Sequence, residues 1–552
     1  MIKGNLFFTL ETYFIMQKLQ SSFISIVTVF FFWGFLAASN GIFIPFCKTH
    51  FQLSQFQSQL IDSAFYGAYF IGSLVLYMVS LKLNSDIINK IGYKTTIVLG
   101  LAISILGALI MIPAVNSGSF AFILIAFFII ALGFSLQQTS ANPLVLNIGD
   151  PATGSHRLNF AGSINSFGTT IGPILVSVLL FGKAVATGED KESAPISSIN
   201  TLYIILAVAF ALAAIILYFT KMSKLQIEET DTNMKVLKGP LNFVFGIIIF
   251  LVIVFSYGAI KSFYEGTLHY KFLGGISAFL IVIFVLLAFQ YRTIKKQNRF
   301  EEKKYPQALL GMLAIFVYVG VEVSIQSNLG SLLKLPDFGG LQDSEIGAYI
   351  SVYWGSLMIG RWTGSIGAFN LKKELKLILT IVVPFLALCL VLFMNHLNGA
   401  DSSQFFKYVI CVIILIAAFY MGQQKPALTL IIFGGLGTIA MLIGVLTSGQ
   451  LSVYAFLSGG LFCSIMWPCI FSLATAGLGK YTSQASSFLI MMILGGAFIP
   501  PMQGLMADEF DIHVSYIIPI VCFAFLTWYA FKVKAILKAE GIDYDKSNTS
   551  NH

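Results

Sequence analysis

Inside a long apolar run the sequence reads SLQQTSANPLVL from Ser135 to Leu146, crowding amides, hydroxyls and a proline together without one formal charge. Ser135, Gln138 and Asn142 recur at i, i+3 and i+7, one face of a helix, and Gln137 sets a further amide beside them. Pro143 has no N–H, so the carbonyl one turn earlier is left free. Amides donate and accept hydrogen bonds without carrying a proton, which suits a ligand with many hydroxyls. Asn40, Asn165 and the series Tyr318, Glu322 and Gln326 place similar groups in other apolar segments. Tyr353, Trp354 and Trp467 add rings able to stack on the apolar face of a sugar. The other use of each amide is a bond to a neighbouring helix, and the other use of Trp354 and Trp467 is packing.

Two carboxylates stand among these segments. Glu322 lies about fifteen residues into its run, near the bilayer midplane at a rise of about 1.5 Å per residue, where a charge is costly and marks function. Asp62 follows a capping pattern at Ser54 and Gln57 and reads either as a coupling group or as a solvated carboxylate at the outer mouth. Arg157 and Arg361 fall near the expected cytoplasmic helix ends, where they snorkel or pin an inner gate.

The elements that must position these groups are membrane helices. The chain has 552 residues, 57% hydrophobic and 11% charged, with a mean hydropathy of +0.85. Too little polar surface remains for a soluble globule, and segments of about 20 apolar residues must be helical because their backbone finds no water. About sixteen spans are legible, the one from Tyr408 to Met421 being short. Residues 23–219 form a first six-helix half, 241–291 an inserted hairpin, 308–533 a second half with another inserted hairpin at 375–421, and 534–552 a tail.

Lysine and arginine gather in alternate loops, which places both termini in the cytoplasm. The net charge of +8 therefore reflects topology and implies no nucleic acid. The first residues read as a cytoplasmic leader, with Met16 as an alternative start. The six cysteines show no metal spacing, and the six histidines lie in loops or at segment ends, so the sequence implies no metal, no cofactor and no enzyme.

FYGAYFIG at Phe65–Gly72 is echoed by YWGSLMIG at Tyr353–Gly360, and Pro143 by Pro468. The second pair is further apart than the first, so the second half gains chain between its second and fourth helices. Two six-helix halves in parallel repeat are the plan of secondary transporters, with the substrate at the midplane between them.

FFFWGFLAASNGIFIPF, QSQLIDSAFYGAYFIGS, SANPLVLNIGDPATGSHRLNFAGSINSFGTTIGP, GRWTGS and SIMWPCIFSLA together resemble the fucose/galactose/glucose:proton symporter family of the major facilitator superfamily. The resemblance spans all twelve core helices. It implies an all-helical major facilitator fold with about four extra helices, in a bacterial inner membrane, importing a neutral hexose by alternating access. Glucose or galactose leads, with fucose behind.

Family carboxylates are missing: the first-helix asparagine–aspartate pair reads Asn40 and Gly41, and the glutamate opening the fourth-helix motif reads Gln138. Family glutamines read Asp62, Glu322 and Gly162 instead, while Asn165 matches. Coupling to a proton or sodium is therefore expected at Glu322 and Asp62. An uncoupled facilitator is the nearest alternative, and a sugar-sensing receptor a remoter one, since the tail after Phe531 is short.

Overall fold

The computed structural model describes residues 23–39, 43, 47, 50–52, 55–148, 153–182, 195–220, 234–264, 269–341, 343–369, 371–397, 402–422 and 425–542. The first half comprises α1 (Phe23–Ser39), α2 (Gln55–Leu83), the short α3 (Ile87–Ile91), α4 (Tyr93–Asn116), α5 (Phe120–Asn147), α6 (Gly154–Phe181) and α7 (Ser198–Phe219). A hairpin follows, α8 (Lys238–Tyr264) and α9 (His269–Lys296). Next come α10 (Pro306–Leu333), α11 (Asp343–Ser365), α12 (Lys373–Leu397), α13 (Val409–Gly422) and α14 (Pro426–Leu446). The chain closes with α15 (Gly449–Cys463), α16 (Met466–Thr475), α17 (Thr482–Met491), α18 (Gly495–Glu509) and α19 (Ile517–Ala539).

Among the described residues there is no strand, only an isolated bridge between Val236 and Phe300. Fourteen stretches are long and apolar enough to cross a bilayer, the Tyr408 segment being lengthened by a 3-10 turn at Ser403–Tyr408. With α1 and the more polar α11 they make the sixteen rods that hydropathy predicts.

Lipid gives helices no hydrophobic reason to associate, so small residues that allow close approach carry the packing. A Cβ on Gly133 would stand 2.3 Å from the Gly100 carbonyl oxygen, and one on Gly100 2.6 Å from that of Gly133, so α4 and α5 touch backbone to backbone there. In the first half α4 lies between α5 and α7, and in the second α14 lies between α15 and α19. α12 packs on α11 and α13 on α14, outside that arrangement. α8 and α9 pack chiefly on each other and turn mostly outward, with Gln290 of α9 donating to the Met78 carbonyl of α2 at 3.0 Å.

Two expected spans are not continuous. Val453–Leu478 breaks between α15 and α16, and Ser486–Met506 passes through a 3-10 turn at Met492–Leu494 between α17 and α18. Pro468 explains the first break: it lacks the N–H that would reach the Ser464 carbonyl, and its ring crowds that oxygen.

The halves are tied at the end bearing Lys82, Lys90 and Lys94. Trp362 of α11 donates to the Ser163 carbonyl of α6 at 3.3 Å, His156 lies 3.2 Å from the Gly364 carbonyl, and Asn89 donates to the Lys480 carbonyl at 3.2 Å. Tyr77 and Phe488 add a ring contact at 4.6 Å. Asp86 caps α3, accepting from the Ile88 and Asn89 amides at 3.0 and 3.2 Å, and also accepts from the Ser483 hydroxyl across the halves.

Burial raises the Asp86 carboxyl above its ordinary range, against the hydrogen bonds that lower it. Folding therefore favours the protonated form. The contribution of Asp86 to folding stability is full below the ordinary carboxylate value of about 4 and fades as pH rises through the raised value. The unfolding midpoint should carry a component that falls as pH rises through that window, and Asp86→Asn should remove that component.

Candidate functional site

Four helices deliver one polar cluster. α10 carries Tyr318 and Glu322 a turn apart, so the Tyr318 hydroxyl donates to the Glu322 carboxylate. Arg361 on α11 places Nη2 3.6 Å from Glu322 Oε2 and 3.4 Å from the Tyr318 hydroxyl. Side chains lean toward the N-terminus of their own helix. α10 starts at the lysine-bearing end and α11 at the opposite one, so Glu322 leans back as Arg361 leans inward. They converge inside the membrane, and the reading in which Arg361 snorkels to the surface is replaced by an internal ion pair.

The same guanidinium reaches the first half. Nη1 donates to Ser166 Oγ at 3.0 Å and to Asn165 Oδ1 at 3.4 Å on α6, while Nε donates to the Ser464 carbonyl at 3.2 Å. That carbonyl is the one Pro468 leaves free. A Cβ on Gly162 would meet Arg361 Cδ at 3.6 Å, an ordinary van der Waals contact, so the arginine stem passes directly over this position. Asn165 also donates to the Phe30 carbonyl of α1 at 3.1 Å. Trp467 of α16 lies against Tyr318, ring centroids 6.3 Å apart.

Glu322 and Arg361 remain 14% and 13% exposed, so the pair is enclosed without being sealed. The chemistry available is a switch: a carboxylate holds Arg361, and a neutral carboxyl removes its Coulomb partner. One cation thus links the Glu322 charge to a contact between the halves.

A second group lies between α2 and α5. Ser135 bonds Ser73 Oγ at 2.9 Å and donates to the Tyr69 carbonyl at 3.1 Å. Gln138 donates to the Tyr69 hydroxyl at 3.2 Å, and Asn142 to the Gln138 carbonyl at 2.9 Å. Gln138 is half-buried, Ser135 and Asn142 are buried, and Asn142 Oδ1 has no partner. Much of the expected hydroxyl-reading face is therefore helix packing, with Gln138 its accessible member. The Thr139 carbonyl, freed by Pro143, is taken across the halves by Ser486 Oγ at 2.7 Å.

Two expected ligand contacts are corrected. Gln137 is fully buried, accepting from the Trp33 indole at 3.0 Å and donating to Ser104 Oγ at 3.1 Å, so both ends of its amide are spent within the first half. Tyr353 is also fully buried, and its hydroxyl donates to the Glu322 backbone carbonyl at 2.7 Å, supporting the ion pair from behind. Gln137→Leu should lower thermal stability by about 1–3 kcal/mol, because the buried Trp33 indole loses its acceptor. Ligand affinity measured on the same protein should not change.

Trp354 is half-buried beside Tyr353, with centroids 5.9 Å apart, and Gln326 is half-buried one turn beyond Glu322, donating to Ser327 Oγ at 3.3 Å. Arg157 caps the end of α5, donating to the Val145 and Leu146 carbonyls at 3.0 and 2.6 Å and to Thr153 Oγ1 at 2.6 Å, a cation where the helix dipole favours one. Asn40 lies outside the described residues; Asp62 stands in α2, but its side chain lies outside them. Ser166, Tyr69 and Ser486 were not singled out from the sequence. For Ser486 the available signal was Pro143, whose freed carbonyl had to find a donor, and Ser166 and Tyr69 had no such signal.

The model of the family described as Major Facilitator Superfamily matches residues 22–317. The glucose/galactose transporter of Brucella abortus biovar 1 (strain 9-941) is 30% identical over 505 residues, 92% of this chain and 92% of that protein. The L-fucose-proton symporter of Escherichia coli (strain K12) is 25% identical over 521 residues, again 92% of each. A crystal structure of a substituted E. coli fucose:proton symporter superposes with a TM-score of 0.61 at 23% identity, covering 93% of this chain and 98% of that one. A family match over more than half the chain, a relative alike along nearly its whole length and a shared helical fold lead to one conclusion: the chain belongs to the Major Facilitator Superfamily.

Proposed function

We propose that this chain imports a neutral hexose of the glucose or galactose type by alternating access, and that a proton taken up at Glu322 drives it. The observation that carries the reading is the single guanidinium of Arg361 shared between Glu322 of the second half and Ser166 and Asn165 of the first. Protonating Glu322 weakens its hold on Arg361 and hence the tie between the halves, which couples proton uptake to movement. The names of the relatives supply the substrate class, and the proton is the coupling ion those names carry.

Gln138, Asn142, Asn165, Gln326, Trp354 and Trp467 are the side chains proposed to meet the sugar, with Asn40 beside them, and Asp62 is the second coupling candidate after Glu322. In this proposal residues 23–219 and 308–533 are the moving bodies, and α8–α9 and α12–α13 are additions to them. The lysine-bearing end faces the cytoplasm by the positive-inside rule, placing both termini there, so the structure, tied at that end, faces outward.

Uptake of labelled glucose, galactose and fucose into proteoliposomes tests the reading. Accumulation of glucose or galactose above equilibrium under an inward proton gradient is expected. Equilibration alone would replace symport with facilitated diffusion, and absence of uptake for all three would overturn the substrate class.

A further inference from the structure

A cavity of about 470 Å³ opens at the lysine-bearing end, lined by Thr363 and Gly364 within a turn of Arg361 but not by Arg361 or Glu322. His156 and Asn159 of α6 form one wall, Thr363 of α11 and Thr429 of α14 another, and Lys373 and Lys376 of α12 a third. Both halves thus contribute, and so does a helix outside the twelve-helix plan.

Its polar features point to an anion. α6, α12 and α14 each begin at this cavity, so the first-turn N–H groups and positive dipole ends of three long helices gather around it. Neither α6 nor α14 has a side-chain cap for its first turn. Lys373 and Lys376 are spaced i, i+3 on one helix face, and Glu374 in the same turn does not line the space. Asn159 is 4% exposed and lines the cavity, and its Oδ1 is an acceptor with no partner, so it calls for a donor such as a headgroup hydroxyl and leaves the phosphate to the lysines and helix starts. The remaining wall, including Leu377 and Phe419, is apolar.

We propose that this cavity binds a phosphate group, the headgroup phosphate of an anionic phospholipid, and that its occupancy holds this end of the protein closed. Lysines and helix starts receive the phosphate, while the apolar wall receives the glycerol and the first methylenes of the acyl chains. Because His156 also contacts the Gly364 carbonyl across the halves, parting α6 from α11 dismantles the site. A ligand that binds only the closed arrangement shifts the population toward it. The conformational consequence rests on alternating access; the binding does not.

The test uses full-length protein in nanodiscs of phosphatidylcholine, with or without phosphatidylglycerol, and separately with inorganic phosphate added to neutral discs. Thermal midpoint and retained lipid by native mass spectrometry report binding, and the distance between labels at Lys90 and Lys480 reports closure. Phosphatidylglycerol should raise the midpoint and the closed fraction, and Lys373→Gln with Lys376→Gln should weaken the response roughly tenfold while the paired arginine variant retains it. Both lysines stand at the rim, so the glutamine variant is expected to fold. Inorganic phosphate giving the same lysine-dependent response would support the phosphate site and assign its source to solution. Equal responses from wild type and the glutamine variant would overturn the proposal. Sugar uptake enters neither measurement, so failure here leaves the transport reading untouched, and failure of transport leaves this one.

Discussion

Glu322→Gln is expected to abolish gradient-driven accumulation while leaving exchange of sugar across the membrane intact. The substitution keeps the shape and a hydrogen-bond acceptor for Tyr318 but removes both the charge and the titration. Arg361 then stands without its Coulomb partner, as it does when the native carboxyl is protonated, and the proton no longer decides when the halves part. A gradient of one pH unit supplies about 1.4 kcal/mol, enough for about tenfold accumulation at one proton per sugar. In the variant that ratio should fall to equal concentrations on both sides, and uptake should lose its pH dependence. Counterflow, in which internal unlabelled sugar draws in labelled sugar, should persist because it needs only alternating access. Accumulation as in the wild type would place the coupling proton elsewhere, with Asp62 the next residue to substitute.

Much of the fold was legible because bilayer thickness turns hydropathy directly into helix count. What hydropathy could not supply was the state of each helix inside its span. Val453–Leu478 reads as one apolar run, but Pro468 divides it, and the break matters because it leaves the Ser464 carbonyl for Arg361. The corresponding proline, Pro143, lies within a continuous α5, and its freed carbonyl is taken by Ser486 from the other half. The repeat therefore used the same backbone opportunity twice, once to seat the guanidinium and once to tie the halves directly.

Side-chain direction was the other part hidden from the sequence. Gln137 and Gln138 are neighbours, yet about 100° of helical rotation turns one into the packing with Trp33 and Ser104 and the other toward Tyr69. The period of Ser135, Gln138 and Asn142 correctly grouped one face, but periodicity cannot say whether a face meets a neighbouring helix or open space. Glu322 was findable because a carboxylate at membrane depth is costly under any orientation. Its partner was obscured by height: Arg361 lies near the end of its expected span, and only the antiparallel course of α10 and α11 shows that it leans inward.

Arg361→Ala should damage both stability and transport more than any other single change in the cluster. The guanidinium serves Glu322, Tyr318, Asn165, Ser166 and the Ser464 carbonyl at once, and truncation strands a carboxylate in a low-dielectric interior. Breaking an enclosed ion pair by removing one partner costs about 3–5 kcal/mol. The bonds from Arg361 to Ser166 and Asn165 join the halves, so even about 2.8 kcal/mol lost from the closed arrangement would change the ratio of conformers roughly a hundredfold. Initial uptake rates should fall by at least an order of magnitude, with a lower unfolding midpoint in detergent. Arg361→Lys should keep the Coulomb term and recover much of the stability, but a compact ammonium on a flexible stem cannot reach Glu322, Ser166 and Ser464 together, so uptake should stay slow. The decisive comparison pairs Arg361→Gln with Glu322→Gln. With neither charge left enclosed, the unfolding midpoint should return toward wild type while accumulation stays absent. If accumulation returned with stability, Arg361 and Glu322 would be a structural pair only, and the link between charge and the tie across the halves would be wrong.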